Sequence, residues 1–262
     1  MKRGSGKHAR HCKKTRSKRR LIRLLFVFIF AVSSLYVINY FYNMNKVENE
    51  KDNLLNNVEV EKQEVTETKT ERMLQVEELQ KENSEIIGWL EIEGTSINYP
   101  VCQTVNNDYY LKHDYEKKNS QLGAIFMDKD VDLNKPSNNF LIYGHRSKSG
   151  LMFEDLIKYS KEDFYKQHQT IRFTTTSEDA VYKIISIFYS RVYYKSEKDV
   201  FRYYYFTNAE NENDFNDYVQ KCKKASIYNI ETSATYGDQL LTLSTCEYSR
   251  ENGRFAVVAR KQ

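Results

Sequence analysis

The chain has 262 residues and a formal net charge of +4, with 40 Lys and Arg against 36 Asp and Glu. That length holds one core-forming domain of ordinary size and hardly two large ones. Nine Gly and two Pro exclude collagenous, Pro-rich and Gly/Ser-linker architectures, four Cys are too few for a disulfide scaffold, and 21 Tyr with 14 Phe supply the material for a core.

The positive charge belongs to one end. Residues 1–23 carry eleven Lys and Arg and no acid, residues 24–42 carry no charge, and residues 43–262 carry a net charge of −7. The basic balance therefore speaks to topology, and nucleic acid is not an expected partner. Residues 24–42 form a run of 19 uncharged residues. As a helix they span about 28 Å, close to the roughly 30 Å of a bilayer core. Tyr36, Tyr40 and Tyr42 gather toward one end, where an aromatic belt lies. The flanking cations place residues 1–23 in the cytoplasm and the rest of the chain outside, as a single-pass protein of the cell membrane. A cleaved signal peptide is the alternative. Its apolar stretch runs only about 7–15 residues to a small-residue cleavage site, whereas here the run continues through Tyr36-Val-Ile-Asn-Tyr-Phe-Tyr42 with no A-x-A after it. The basic tail also suits anionic lipid headgroups.

Residues 43–70 read as a stalk or loose helix, because Val58, Val60 and Val65 are too sparse for a core stripe. A domain follows over 71–262. Met73, Leu74, Val76, Leu79, Asn83, Ile86 and Ile87 fall mostly on one helical face, and Gly88 is placed to end that helix. Strand patterns then cover 89–92, 97–102, 124–127, 140–143, 170–175, 181–194, 240–245 and 255–259. Helical patterns interrupt them at 151–159 and 210–224. The second of these carries Phe215, Tyr218, Val219 and Cys222 at i, i+3, i+4 and i+7. The expected fold is a mainly β domain, an eight-stranded barrel with peripheral helices, preceded by a transmembrane helix.

The chemistry must come from side chains, since the sequence has no His-Glu-x-x-His, Cys-x-x-Cys, Gly-x-Ser-x-Gly or phosphate-cradling Gly-rich loop. No metal or other cofactor is expected. Cys12 lies in the basic tail and reads as passive. Cys102 ends a strand pattern and Cys222 lies on an apolar helix face; each reads most simply as a small buried hydrophobe, with a Cys102–Cys222 disulfide as the alternative. Cys246 differs, because it ends the run Leu240-Leu-Thr-Leu-Ser-Thr-Cys246 where a strand meets a polar turn. Arg254 opens the next run, Arg254-Phe-Ala-Val-Val-Ala-Arg260, so a strand–loop–strand pair would bring both to one end of a sheet. A cation there lowers a thiol's pKa and can hold an oxyanion. Arg250 is the rival cation but lies in mid-loop. A thiol nucleophile also needs a proton-transfer partner. Of the three His beyond the apolar run, His145 follows Phe140-Leu-Ile-Tyr-Gly144 at a strand end and is the best candidate; His168 sits in a polar stretch that reads as solvated, and His113 is left open.

Thr242-Leu-Ser-Thr-Cys246, followed by Arg254 opening a Phe-Ala-Val-Val strand, resembles the sortase signature, and Tyr143-Gly-His145 resembles that family's histidine segment. The order His, Cys, Arg and the N-terminal anchor match as well, and the resemblance covers roughly residues 71–262. The long stretch from 181 to 239 with its internal helix, the helix ahead of the first strand, Asn98-Tyr-Pro-Val101 and Asn106-Asn-Asp-Tyr-Tyr-Leu111 are similar to class B sortases. The resemblance implies a cysteine transpeptidase with catalytic His145, Cys246 and Arg254, and a substrate groove lined by Asn107, Leu111, Tyr143, Ser244 and Glu247. For the groove residues the competing readings are a helix cap for Asn107, core for Leu111 and Tyr143, and a solvated loop charge for Glu247.

The implied reaction is cleavage of an Asn-Pro-x-Thr-x-like C-terminal sorting motif after Thr, through a thioester on Cys246, with transfer to an amine. The implied partners are surface proteins bearing the motif and, as acceptor, a cell-wall precursor (lipid II) or a pilin amine. No calcium site is expected, because no clustered carboxylate loop is seen. An extracellular cysteine peptidase using water as acceptor, and a non-catalytic surface-binding protein, are the alternatives.

Overall fold

The computed structural model describes residues 8–56, 69–135, 137–246, 248–249 and 251–262. The chain divides into two units, residues 1–50 and 51–262. In the first, helix α1 (His8–Asn56) begins in the basic tail and runs unbroken through the apolar stretch. Its segment Arg23–Lys46 is 24 residues long with a mean hydropathy of 2.1, and is the one described helix long and apolar enough to cross a membrane. The expected stalk is thus helical as far as Asn56, and its residues 57–68 lie outside the described residues, as do residues 1–7 of the tail.

Past the end of α1 and residues 57–68, the second unit continues with α2 (Glu71–Glu82), whose first turn is capped by the Thr70 hydroxyl accepting from the Met73 N–H. Met73, Val76 and Leu79 turn inward. Eight strands follow: β1 (Ile86–Glu91), β2 (Asn98–Cys102), β3 (Ile125–Met127), β4 (Asn139–Gly144), β5 (Thr170–Thr174), β6 (Asp179–Arg191), β7 (Leu240–Cys246) and β8 (Gly253–Lys261). They close into a barrel in the order β1-β2-β3-β4-β7-β8-β6-β5. The β2–β3 and β4–β7 pairings are parallel and the other six are antiparallel. All eight strand patterns in the sequence correspond to strands. The inner residues Leu90, Val101, Ile142, Ile184, Leu243 and Val257 are fully buried.

Helix α3 (Glu162–Gln167) and α4 (Glu212–Ala225) lie outside the barrel wall. The Asn211 side chain caps α4 by accepting from the Asp214 N–H at 3.1 Å. Its apolar face, Phe215, Tyr218, Val219 and Cys222, is buried as the i, i+3, i+4, i+7 spacing predicts. The Ser186 hydroxyl of β6 donates to the Cys222 carbonyl at 2.5 Å and fastens the helix to the sheet.

Two helical expectations need correction. Helix α2 does not reach Gly88 but ends at Asn83, which adopts an extended backbone and donates its N–H to the Leu79 carbonyl. The Asn83 side chain donates to the Tyr110 hydroxyl at 3.1 Å and the Tyr115 carbonyl at 2.6 Å. Ile86 and Gly88 pair instead with Cys102 and Val101 of β2, so sheet pairing overrides a spacing that is also consistent with a helix. The stretch 151–159 forms a 3-10 turn at Glu154–Ser160, not an α-helix, and α3 just beyond it has no clear apolar stripe to announce it.

Gly88 has a packing role. A Cβ there would lie 2.7 Å from the Thr174 carbonyl oxygen and 2.8 Å from the Phe173 ring. Gly88→Ala is therefore expected to destabilise the fold by about 1–3 kcal/mol, read as a lowered thermal unfolding midpoint. An unchanged midpoint would contradict the close approach.

Candidate active site

The barrel register sets the site. Cys246, the last residue of β7, pairs directly with Arg254 of β8. On the other side of β7, β4 runs parallel, pairing Tyr143 with Ser244 and Gly144 with Thr245. One step further along that register, His145 stands beside Cys246. Residues directly opposite on neighbouring strands share a face of the sheet, and strands lie about 4.8 Å apart. Cys246 and Arg254 thus form a row that His145, just past the end of β4, continues, with Tyr143 and Ser244 two residues back on the same face. Gly144 permits this packing, since a Cβ there would meet the Ile125 side chain at 2.5 Å and the Phe153 ring at 2.7 Å.

The row opens into a cleft of about 670 Å³ lined by Asn107, Leu111, Asp128, Tyr143, His145, Tyr203, Tyr204, Tyr205, Ser244, Thr245, Cys246 and Arg254, among others. Every site residue expected from the sequence faces this cleft except Glu247, which, like the rival Arg250, lies outside the described residues. Asn107 is not the helix cap it resembles. That work falls to Asn106, whose side-chain oxygen accepts from the Asp108 and Tyr109 N–H groups. Asn107 instead donates to Asp128 at 2.9 Å and accepts from the Lys129 N–H at 2.8 Å. Leu111 is half-buried against the core cluster around Val76 and Trp89. Ser244 is buried, its hydroxyl 2.7 Å from that of Tyr203.

Local bonds fix the orientation of the row. The Thr245 hydroxyl donates to the Gly144 carbonyl at 2.8 Å, tying β7 to β4 just before Cys246. The Phe153 N–H donates to the His145 carbonyl at 2.9 Å. The His145 Nε2 lies 2.9 Å from the Leu111 carbonyl oxygen. A carbonyl only accepts, so Nε2 carries the hydrogen, and Nδ1 is the ring atom left to exchange a proton. An Arg254 guanidinium N–H donates to the Gly253 carbonyl at 2.9 Å. Beyond the strand ends, the Tyr248 hydroxyl donates to the Arg146 carbonyl at 3.0 Å, and the Arg146 guanidinium lies 5.2 Å over the Tyr248 ring.

The remaining thiols and imidazoles have structural surroundings. Cys102 and Cys222 are free and buried, so the alternative of a disulfide between them does not hold. Burial pushes the Cys102 thiol up to about 12 and raises that of Cys222 as well, which leaves both inert as nucleophiles. Cys246 is the partly exposed thiol of the barrel unit. His168 is not solvated as expected. It is half-buried, with Nδ1 2.8 Å from the Glu93 carbonyl oxygen and its ring against Phe164. His113 stacks on Tyr109 with centroids 4.0 Å apart. Burial, reinforced by the Asp128 charge, raises the Tyr143 hydroxyl, and burial raises that of Tyr203, so both phenols keep their protons at neutral pH. Among the described residues no group of three or more His, Cys, Asp or Glu is gathered to hold a metal ion.

The sequence reading missed Asp128 and the aromatic wall of Tyr203, Tyr204 and Tyr205. Asp128 lies just past the end of β3 as His145 lies just past the end of β4, and that polar residue closing an apolar strand was the available signal.

A Sortase domain model matches residues 90–262. Sortase B of Staphylococcus aureus (strain NCTC 8325 / PS 47) is 36% identical over 188 residues, covering 71% of this chain and 74% of that protein. Sortase B of Listeria monocytogenes serovar 1/2a is 35% identical over 185 residues, covering 70% and 72%. A crystal structure of sortase B from B. anthracis superposes with a TM-score of 0.69 at 32% identity, covering 84% of this chain and 97% of that one.

Proposed function

The chain belongs to the sortase family, in its class B, and on that premise we propose how this cysteine transpeptidase recognises, cleaves and joins its substrates. Enzymes of this class attach surface proteins. The observation that carries the reading is the pairing of Cys246 with Arg254 across β7 and β8, with His145, the residue after β4, lining the same cleft.

In the proposed reaction, the Cys246 Sγ attacks the carbonyl carbon of the Thr in an Asn-Pro-x-Thr-x-like sorting motif. A C–S bond forms, and the Thr–x C–N bond breaks as the His145 imidazolium gives its proton to the leaving amine. The incoming amine then attacks the thioester carbonyl. A new C–N bond forms, His145 takes the amine's proton, and Sγ leaves. With Nε2–H held on the Leu111 carbonyl, Nδ1 is the atom that carries this proton in both directions. Arg254, opposite Cys246 in the register, stabilises the oxyanion of each tetrahedral intermediate or orients the peptide carbonyl. Asn107, Leu111, Tyr143, Ser244 and Glu247 form the groove for the motif. The acceptor is an amine of lipid II or of a pilin. Residues 24–42, within the apolar helix segment Arg23–Lys46, anchor the chain, with residues 1–23 cytoplasmic, residues 43–70 as stalk and residues 71–262 as the extracellular catalytic domain.

The test uses the full chain in non-ionic detergent with an Asn-Pro-x-Thr-x peptide, with and without triglycine as acceptor. The expected result is release of the residue after Thr in both cases and a Thr–triglycine amide in the second. Hydrolysis alone at every triglycine concentration would instead assign a peptidase.

A further inference from the structure

Asp128 is a carboxylate of the cleft wall to which the reaction above gives no part. It is 5% exposed and receives three hydrogen bonds. Asn107 Nδ2 at 2.9 Å and the Tyr143 hydroxyl at 3.0 Å both donate to Oδ2, and the Asp130 N–H donates to Oδ1 at 2.9 Å. Its two side-chain donors come from opposite sides: Asn107 from the loop after β2, and Tyr143 from β4, two residues before His145.

That loop is held along its length. Gln103 Nε2 donates to the carbonyls of Asp128 and Val131 at 2.8 Å each. The Asn107 amide is pinned at both ends, since its Oδ1 accepts from the Lys129 N–H at 2.8 Å while its Nδ2 donates to Asp128. Four residues on, the Leu111 carbonyl accepts from His145 Nε2. The segment from Gln103 to Leu111 therefore connects the end of β3 to the histidine, and Asp128 holds its middle.

We propose that Asp128 is a positioning residue for the transpeptidation: by clamping Asn107 and Tyr143 on one carboxylate it fixes the width of the substrate groove and the place of the Leu111 carbonyl that holds His145. The inference rests on the function proposed above. Asp128 acts through its neighbours, because its accepted bonds leave it committed to them rather than to a substrate cation. A carboxylate is required because it accepts without donating. An amide in its place opposes two donors in either orientation, facing Asn107 Nδ2 in one and the Asp130 N–H in the other.

The test is a pairwise exchange in the full chain, using Asp128→Asn, Asn107→Asp and the double variant. The double variant restores the pairing in reverse, with residue 128 donating to a carboxylate at 107 that still accepts from the Lys129 N–H. Two readouts are taken: kcat and KM for the Asn-Pro-x-Thr-x peptide, and the pH profile of Cys246 alkylation by iodoacetamide, followed by mass spectrometry on the fragment containing Cys246. Each single variant is expected to lose about 10-fold or more in kcat/KM, chiefly through KM, and to shift the alkylation profile through His145. The double variant keeps an altered groove residue at 107, so its kcat/KM is expected above that of the worse single variant but below the parent, while its alkylation profile returns to that of the parent.

Unchanged kinetics and profiles in the single variants would overturn the clamp, as would a double variant no better than the worse single one. If a single variant does not fold, the double variant decides: a folded double variant with the parent's alkylation profile supports the clamp, and loss of fold or a shifted profile overturns it. If the parent chain fails to cleave the peptide, the functional reading fails by itself. The clamp is then judged by whether the alkylation profile shifts in the single variants and reverts in the double.

Discussion

Cys246→Ala removes peptide cleavage and transfer together, with a fall in rate on the order of 10⁴-fold or more. The size follows from the chemistry. Without Sγ no thioester forms, and the residual rate is whatever the groove and Arg254 contribute to attack by water. The substitution is expected to leave the fold intact, because Cys246 is a small, half-buried residue at the end of β7 and the strand ladder around it is backbone. Its thermal unfolding midpoint should stay within about 2 °C of the parent. Cleavage that survives in a folded Cys246→Ala chain would remove the thiol from the mechanism. Rescue from elsewhere in the barrel is not expected, since Cys102 and Cys222 are buried and burial raises both thiols.

His145→Ala and Arg254→Ala should each lower kcat/KM by about 10²–10⁴-fold and 10²–10³-fold. The histidine carries a proton in both half-reactions, so its loss slows acylation and transfer alike and lowers kcat. Arg254 acts on the charge that develops at the carbonyl oxygen, so its loss also falls on kcat rather than on KM. Arg254→Lys should recover only part of the rate, because a point charge does not reproduce the guanidinium's paired donors. Steady-state kinetics of the three variants checks both roles, and unchanged kcat values would withdraw them.

The strands were legible because each is a run of apolar, β-branched or aromatic residues closed by polar turns, but their closure into a barrel depends on the distant β4–β7 and β1–β5 pairings. The Cys–Arg half of the site was legible for the same reason: Cys246 and Arg254 flank a short polar turn, so local pairing alone brings them together. His145 was identifiable only as a strand-end histidine, because its place beside Cys246 depends on a parallel β4–β7 pairing across about a hundred residues of sequence. Asp128 was invisible on the same grounds, since its partners Asn107 and Tyr143 lie 21 and 15 residues away on other elements. Gly88 was misread because Ile86 and Ile87 fit both the helical stripe and the strand, and only contact with β2 and β5 decides between them. His168 likewise acquires its surroundings from packing that a local pattern does not contain, whereas the buried face that holds Cys222 was legible in its helical spacing.

The central step of the proposed reaction is a covalent bond between Cys246 and the substrate's Thr. The full chain, mixed with an Asn-Pro-x-Thr-x peptide and quenched in acid within the first turnover, should carry an added mass equal to the peptide through its Thr. After proteolysis that mass should lie on the fragment containing Cys246 and discharge on adding triglycine. An acyl group on any other residue, or product formed with no adduct at Cys246, would contradict it.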